Sequence, residues 1–229
     1  MQLEWHLREE DLFLGFPVEK DAFKSLCSRR CVTKGEFIFY EDDPGDSCFY
    51  LEEGIVKIFR ATVMGKEPIL MIRKAGEMFG LAEAIGGYDR KANAQAIRSC
   101  VLHEIEKEPF ERFLSQNYVI TRRIMKVLGR RLRYLGEQVA NLMSCDVTTR
   151  LLKHLVYSCY TSLLDADAWD RPVTFSLDLT QEQIASMTGS CQQTVSETLR
   201  KLQEEGLILV SGREITLLNP LQIIERIGA

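Results

Sequence analysis

The stretch from residue 180 to residue 202 constrains the fold of this 229-residue chain more than any other. Its sequence, TQEQIASMTGSCQQTVSETLRKL, predicts two short helices separated by a turn at Gly189. Each helix would begin at a hydroxyl residue that a glutamine follows three positions later, which is the pattern of a capping box. The two pairs are Thr180 with Gln183 and Ser190 with Gln193. Gly189 stands where a chain that leaves a helix commonly needs a positive φ.

The second helix of this stretch combines an apolar face with a polar face. Val195, Leu199 and Leu202 recur at helical spacing, and the small Ala185 would let the two helices cross closely. The stretch predicts either a helix-turn-helix that reads DNA or an αα-hairpin that only packs, and we favour DNA binding. The residues expected to contact DNA are Thr180, Ser190, Gln192, Gln193, Ser196, Glu197, Arg200, Lys201 and, at the tip of a following hairpin, Arg213.

The charge of the chain gives no general attraction to nucleic acid or to an acidic membrane, because the net charge is −4. From Val147 onward, acidic residues outnumber basic ones, which counts against DNA binding because phosphate contacts supply much of the affinity. A carboxy-terminal part that binds protein is therefore the main alternative. An enzyme such as a thiol oxidoreductase is not expected, since the chain has no Cys-x-x-Cys pair and no glycine-rich phosphate loop.

The cysteines and the amino terminus indicate the cellular compartment. The seven cysteines are odd in number and scattered, so a disulfide framework is not expected. The amino terminus lacks the basic and apolar regions of a signal peptide, and no run approaches the roughly 18 apolar residues of a membrane span. We therefore expect a protein of the reducing cytoplasm with no membrane partner.

In the first half of the chain, from Cys31 to about Glu106, apolar residues recur with the period of two that is typical of strands. Turn clusters such as Asp42–Asp46 and Glu52–Gly54 separate these short strands. The pattern predicts a closed antiparallel barrel or jelly roll. The residues before Cys31 read as short helices that Pro17 interrupts.

A long helix is predicted from about Tyr118 to Ser144, after a shorter one with Pro109 at its first position. Five apolar residues in the long helix are spaced four, three, four and three apart, which is the a/d pattern of a coiled coil. They are Leu128, Leu132, Leu135, Val139 and Leu142. This stripe would pack either on its own barrel or on the same helix of a second chain, and the narrow seam favours the dimer. Gly129 and Gly136 weaken the helix but permit a close approach.

The carboxy-terminal part predicts a winged arrangement. Asp146 would cap a helix that runs to about Leu163, and Val173–Leu179 alternates as a strand. After the helix-turn-helix, Leu207–Val210 and Glu214–Leu218 predict a hairpin. Such a wing would lie along a phosphate backbone.

Several short motifs form a specific set that covers nearly the whole chain. They are Lys34-Gly35-Glu36, Asp43-Pro44-Gly45-Asp46, Leu51-Glu52-Glu53-Gly54, Gly76-Glu77-Met78-Phe79-Gly80, Arg90-Lys91-Ala92, Asp146-Val147-Thr148-Thr149-Arg150 and the helix-turn-helix. With these motifs the chain resembles the Crp/Fnr superfamily of bacterial transcription regulators.

The resemblance implies a non-enzymatic, homodimeric α+β protein whose DNA helices reorient when an effector binds. It would have a β-roll (jelly-roll) effector domain with N-terminal helices in residues 1–117, a long dimerisation helix in residues 118–145 and a winged helix-turn-helix domain in residues 146–229. Its partners would be a near-palindromic DNA site, a second copy of the chain and RNA polymerase. The half-sites would lie about 34 Å apart, which is one turn of DNA.

The resemblance assigns the family's phosphate-holding arginine to Arg90, and a bidentate, permanently charged donor suits that task. Leu81 stands where the family has a glutamate, and Lys91 replaces a small hydroxyl residue. The hydroxyl pair that meets adenine is replaced by Leu135 and Gly136. These departures argue against cyclic AMP and favour another small anion, unless Arg90 and Lys91 are solvent-facing strand residues. The expected effector-binding set is Phe79, Gly80, Leu81, Ala82, Glu83, Arg90, Lys91 and Leu135.

Other sensing chemistries of the family are matched less well. The cysteine triplet that holds an iron–sulfur cluster is missing, since only Cys27 and Cys31 lie near the amino terminus. Haem would need a ligand such as His6 or His103, and a structural role also explains each histidine. Haem and a thiol switch between Cys27 and Cys31 stay alternatives to the unknown small-molecule effector.

On the second helix of the helix-turn-helix, Gln193 and Glu197 occupy positions where the family often carries glutamate and arginine as a reading pair. Glutamine suits N6 and N7 of adenine, and glutamate can accept from N4 of cytosine. Alternatively, Gln193 serves its capping box and Glu197 pairs with Lys201 one turn further along. We predict a half-site that differs from the best-known sites of the family.

Overall fold

The computed structural model describes residues 10–163 and 166–228. The chain forms two compact units, of which the first ends at Leu132 and the second begins at Arg133, within one long helix. The predicted boundaries at residues 117 and 145 stay predictions. Among the described residues, no helix is both long and apolar enough to cross a membrane.

The first unit is built around two antiparallel sheets of four strands each. The strands are β1 (Ser28–Val32), β2 (Phe37–Phe39), β3 (Ser47–Glu53), β4 (Ile55–Phe59), β5 (Ile69–Lys74), β6 (Met78–Phe79), β7 (Asn93–Ala96) and β8 (Cys100–Glu106). The helices are α1 (Pro17–Ser25), α2 (Leu81–Gly86), α3 (Lys107–Gln116) and α4 (Tyr118–Ser144), which continues into the second unit. The strand orders are β1-β8-β3-β6 and β2-β7-β4-β5, which confirms the predicted β-roll.

The strand β3 is buried on both faces because it separates two apolar clusters. Phe49 and Leu51 point between the two sheets, where they pack in one cluster with Phe79. Cys48 and Tyr50 point to the opposite side, which α1, α3 and the first part of α4 cover. This outer cluster receives the buried helix side chains Phe23, Phe110, Phe113, Ile120 and Ile124.

Three details of this unit differ from the sequence prediction. Ser28–Val32, expected to be largely helical, is a strand because its register with β8 outweighs its polar composition. Pro17 is the first residue of α1 rather than a break, and Pro109 is the third residue of α3, which begins at Lys107. Both prolines fit there because the first N–H groups of a helix have no intrahelical partner. The part of the helix prediction that concerns residues 1–9 lies outside the described residues.

The second unit contains the rest of α4 and a small winged domain. Its further elements are α5 (Val147–Ser158), β9 (Val173–Ser176), α6 (Gln181–Thr188), α7 (Gln192–Glu204), β10 (Ile208–Ser211), β11 (Glu214–Leu217) and α8 (Pro220–Ile227). The three strands form one antiparallel sheet in the order β10-β11-β9. This confirms the predicted winged helix-turn-helix, whose core contains Leu155, Ile184, Val195, Leu202 and Ile215.

Two helices in this unit differ from the sequence prediction. The helix that Asp146 caps stops at Ser158 instead of continuing to Leu163, because the chain tightens into a 3-10 turn from Tyr160. The helix α8 was not expected, although Asn219 caps it through a hydrogen bond from the Gln222 N–H at 3.0 Å. An asparagine followed by proline is a common start of a helix, so the signal was present in the sequence.

Candidate DNA-binding face, dimer stripe and effector site

The first helix of the helix-turn-helix begins with a complete capping box. The Gln183 N–H donates to Thr180 Oγ1 at 3.2 Å, and the Thr180 N–H donates to Gln183 Oε1 at 2.9 Å. The turn that follows requires glycine, since Gly189 has φ of 62°. A Cβ atom at Gly189 would also lie 3.0 Å from Cδ2 of Leu142. The predicted capping box and the positive φ are therefore confirmed.

The second predicted capping box is wrong. The helix α7 begins at Gln192 after Cys191, whose side chain makes no capping hydrogen bond. The Ser190 hydroxyl instead shares a 3.0 Å hydrogen bond with the Thr188 hydroxyl at the end of α6. The helix thus starts one residue later than the pattern required, and the amide of Gln193 is left for another partner.

The helix α7 buries one face and exposes the other. Val195, Thr198, Leu199 and Leu202 are buried against the rest of the winged domain. The opposite face is exposed and carries six of the residues expected to contact DNA, namely Gln192, Gln193, Ser196, Glu197, Arg200 and Lys201. The fold brings these six together, and their contact with DNA stays a prediction.

The other three predicted DNA-contacting residues have different surroundings. Thr180 is exposed, but its hydroxyl accepts the capping hydrogen bond. Ser190 is half-buried and bonded to Thr188. Arg213 is exposed in the turn between β10 and β11, and its carbonyl accepts from the Leu177 N–H at 2.7 Å, which ties the wing to the segment after β9.

The charged side chains of α7 are arranged along its axis. Gln193 Nε2 donates to Glu197 Oε1 at 3.0 Å, so the alternative pairing of Glu197 with Lys201 is not the one formed. Arg200 Nε lies 3.8 Å from Glu204, and Lys201 Nζ lies 4.0 Å from Glu205. Exposed ion pairs at such distances contribute about 0–1 kcal/mol, so both cations are available to phosphates.

The apolar stripe of α4 is exposed over most of its length. Leu132 is 73% exposed and Val139 is 56% exposed, and Leu135 and Leu142 are exposed as well. Leu128 differs, since it is half-buried and packs against the outer cluster of the first unit beside the buried Ile124. Leu128 therefore packs on its own unit, whereas the other four side chains of the stripe are exposed.

Three polar contacts at successive turns join the end of α4 to α5, and sequence reasoning missed them. The Tyr157 hydroxyl donates to Glu137 Oε2 at 2.7 Å, and burial together with this carboxylate raises the pKa of Tyr157 well above its ordinary value. The other contacts run from Lys153 Nζ to Asn141 Oδ1 at 2.7 Å and from Arg150 Nη1 to the Cys145 carbonyl oxygen at 2.6 Å. We call these three contacts the polar ladder.

Arg150 extends the polar ladder to the helix-turn-helix. Its Nε donates to the carbonyl oxygen of Thr188 at 2.8 Å, at the end of α6. One guanidinium therefore meets carbonyls at the ends of two helices, where a positive charge is favourable. The polar ladder and Arg150 hold the helix-turn-helix against the second part of α4.

Arg90 is enclosed within the β-roll. It is 1% exposed and precedes β7, so the alternative of a solvent-facing strand residue is wrong for Arg90, whereas Lys91 is exposed. Its guanidinium donates to the carbonyl oxygens of Ser47 at 2.5 Å and Gly80 at 3.1 Å. Burial lowers the pKa of Arg90, and the Glu83 carboxylate, 3.6 Å from its Nη1, opposes that shift.

The surroundings of Arg90 explain the glycine at its side. A Cβ atom at Gly80, where φ is 72°, would lie 2.8 Å from Arg90 Nη1. The Phe39 ring lies 4.3 Å from the guanidinium carbon, and Phe79 stacks on Phe49 with ring centroids 5.1 Å apart. Arg90 Nε is buried and has no hydrogen-bond partner among the described groups.

Two members of the predicted effector set do not surround Arg90. Leu81 points into the outer cluster because it begins α2 on the side that faces α3, so its side chain has a packing role. Ala82 is exposed on the first turn of α2. Leu135 belongs to the second unit, and its effector contact stays a prediction.

The candidate haem and thiol groups have other partners. His103 is buried, and its Nε2 lies 2.7 Å from a Glu52 carboxylate oxygen, while His6 lies outside the described residues. Burial raises the pKa of Cys27 to about 12, so its thiol stays protonated. Cys27 is a half-buried free thiol just before β1, and Cys31 is an exposed free thiol within β1, so a thiol switch between them stays a prediction. The described residues contain no group of three potential metal ligands.

Two family models match the chain, one in each unit. The model of the cyclic nucleotide-binding domain matches residues 29–117, which include all eight strands of the β-roll except the first residue of β1. The model of the Crp-like helix-turn-helix domain matches residues 149–225, which include the winged domain. The two models account for the effector-type and DNA-binding parts of the architecture.

Curated relatives and solved structures agree with this division. The chain is 26% identical over 193 residues to a CRP-like cAMP-activated global transcriptional regulator of Mycobacterium tuberculosis, covering 84% of this chain and 85% of that one. It is 27% identical over 201 residues to the cAMP-activated global transcriptional regulator Vfr of Pseudomonas aeruginosa, covering 86% and 92%. A mutant of CooA from Carboxydothermus hydrogenoformans has a similar fold, with a TM-score of 0.82, 22% identity and 97% coverage of each chain. With both domains matched, the chain belongs to the Crp/Fnr superfamily of DNA-binding transcription regulators, which are not enzymes.

Proposed function

We propose that the chain is a homodimeric regulator that binds a near-palindromic DNA site under the control of a small anionic effector. The observation that carries this proposal is the exposed polar face of α7, held by a buried apolar face in a winged domain. The first turns of such a helix enter the major groove of DNA. RNA polymerase is the proposed recipient of the regulation, and the cytoplasm is the proposed location because promoter DNA is the ligand.

The exposed stripe on α4 supports the homodimer. Leu132, Leu135, Val139 and Leu142 repeat at a/d spacing on an exposed face, and such a stripe is stabilised when a second helix covers it. Cβ atoms added at Gly129 or Gly136 would meet open space, so a partner helix can approach closely there. A two-fold dimer would read two half-sites about 34 Å apart.

Arg90 supports an anionic effector. Among the described residues its Nε lacks a hydrogen-bond partner inside the β-roll, and the Glu83 carboxylate stands 3.6 Å from its Nη1. A small anion would displace Glu83 and gain a bidentate contact with the guanidinium. Leu81 is buried where the family has its glutamate, so cyclic AMP is not proposed. Haem is not proposed either, since His103 is bonded to Glu52.

Selection from random-sequence duplexes by the purified full chain tests the DNA-binding proposal. We expect a near-palindrome to be enriched. The double variant Arg200→Ala, Lys201→Ala should weaken binding to all sequences and lower the salt dependence by about two phosphate contacts. Lys66→Ala, an exposed cation in the first unit, is the matched control and should bind like the wild type. If no duplex is enriched, DNA binding is refuted and a protein-binding winged domain is favoured.

A further inference from the structure

Gln193 and Glu197 form a pair on the exposed face of α7. They are the second and sixth residues of this helix, so they lie one turn apart within its first two turns. Gln193 Nε2 donates to Glu197 Oε1 at 3.0 Å. Both side chains are exposed, so the pair is part of the surface that the helix would present to the major groove.

We infer that Gln193 and Glu197 act as one reading unit that accepts hydrogen bonds from the exocyclic amines of adenine or cytosine. In this unit, Glu197 positions the amide of Gln193 in addition to contacting a base itself. The inference rests on the proposed function, because it requires α7 to enter the major groove. It names the base chemistry that this face selects.

The orientation of the Gln193 amide follows from the chemistry of its partner. A carboxylate only accepts hydrogen bonds, so it attracts the amide nitrogen and repels the amide oxygen. With Nε2 bound to Glu197, the outward group of Gln193 is Oε1, which accepts. Turning the amide over to donate to a keto oxygen would place Oε1 beside the carboxylate and lose the 3.0 Å hydrogen bond.

Glu197 selects in the same direction. In the major groove, adenine N6 and cytosine N4 are donors, whereas guanine O6 and N7 and thymine O4 are acceptors. A carboxylate is therefore favoured beside an amine and repelled by a keto group. Both members of the pair thus prefer amine-bearing bases, at two neighbouring positions of the half-site.

The cations of α7 are placed away from this pair. Arg200 and Lys201 lie nearest to Glu204 and Glu205, one turn further along the helix. Neither shares the Gln193–Glu197 hydrogen bond, so Oε2 of Glu197 is left to accept from a base. The helix therefore separates base reading near its start from phosphate contacts further along.

Selection from a library with a randomised half-site tests the inference, with the wild type, Glu197→Gln and Gln193→Ala as full-length proteins. The wild type should prefer amine-bearing over keto bases about tenfold at two neighbouring positions, a size expected for one good base contact. Glu197→Gln should reduce the preference at both positions to about twofold or less, because it frees the Gln193 amide. Gln193→Ala should relax only one position.

Glu204→Gln is the matched control, since it removes the same charge from the exposed last turn of α7. It should keep both preferences. As a second readout, a selected adenine is replaced by a purine that lacks the N6 amine, which should weaken wild-type binding, but less than a keto base, which adds repulsion.

Two outcomes overturn the inference while DNA binding stands. One is a relaxation at a single position in Glu197→Gln, and the other is selection of keto bases by the wild type. A wild type that selects no sequence would refute the proposed function itself, and this inference with it.

Discussion

Replacing Tyr157 by phenylalanine is expected to destabilise the second unit by about 1.5 kcal/mol. The lost contact is the rung of the polar ladder in which the Tyr157 hydroxyl donates to Glu137 at 2.7 Å, and hydrogen bonds to charged groups contribute about 1.5–3 kcal/mol. We take the lower end of this range because Glu137 is only half-buried, so water can hydrate the carboxylate that loses its donor in the variant. A unit of about 100 residues loses roughly 4–8 °C per kcal/mol, so its Tm should fall by about 6–12 °C.

The assay is thermal unfolding followed by circular dichroism, with Glu137→Gln and the double variant completing a double-mutant cycle. The two single changes should couple by about 1 kcal/mol, because each removes the same hydrogen bond. Tyr118→Phe is the control, since Tyr118 is an exposed tyrosine at the start of α4, the helix that carries Glu137. The Tm of this variant should equal that of the wild type. A coupling energy below about 0.3 kcal/mol would refute the reasoning, because independent sites add within that margin.

Three further changes test the other sites. Leu132→Asp should yield a monomer in sedimentation experiments and abolish binding to a near-palindromic site. The control Met64→Asp, at another exposed position, should do neither. A Leu132→Asp protein that remains a dimer would contradict the proposed stripe. Glu83→Gln removes the carboxylate that lies 3.6 Å from Arg90, so inorganic phosphate should raise the Tm of this variant more than the Tm of the wild type. Equal Tm shifts in the two proteins would argue against an anion site. Hydrogen bonds from Lys24 and His103 lower the pKa of Glu52 in the folded protein from 4.5 to about 2. As the pH falls from 4.5 to about 2, Glu52 is therefore protonated in the unfolded state before it is protonated in the folded state, and the stability that it contributes is lost over this range. Glu52→Gln should flatten this part of the acid unfolding curve, and the exposed neighbour Glu53→Gln should leave it unchanged.

The elements with local signals could be predicted from the sequence. The apolar spacing predicts α4 from Tyr118 to Ser144, and the structure has these bounds. The capping box of Thr180 depends on residues three positions apart, and it forms. The equivalent pattern at Ser190 fails because the hydroxyl of Thr188, from the preceding helix, lies within hydrogen-bond distance. A local pattern therefore predicts well only where no neighbouring element competes for its groups.

The Glu137–Tyr157 contact of the polar ladder and the burial of Arg90 could not be predicted, because their partners are distant in the chain. Glu137 and Tyr157 are 20 residues apart, and Arg90 and Ser47 are 43 apart. In the sequence, an arginine next to Lys91 has the pattern of a surface segment. Only the fold places the carbonyls of Ser47 and Gly80 around the guanidinium and so makes its burial tolerable.

The acidic surplus of the winged part, which counts against DNA binding in the sequence, has a different meaning once the positions of the charges are known. Glu204 and Glu205 are at the far end of α7, and Glu205 is also paired with Arg226. Twelve residues separate Gln192 from Glu204, which is roughly 18 Å along a helix. That distance is about twice the roughly 8 Å over which exposed charges interact at physiological ionic strength. Among the carboxylates of α7, only Glu197 lies on the first turns that bases would meet, and it is the one to which the reading unit gives a role.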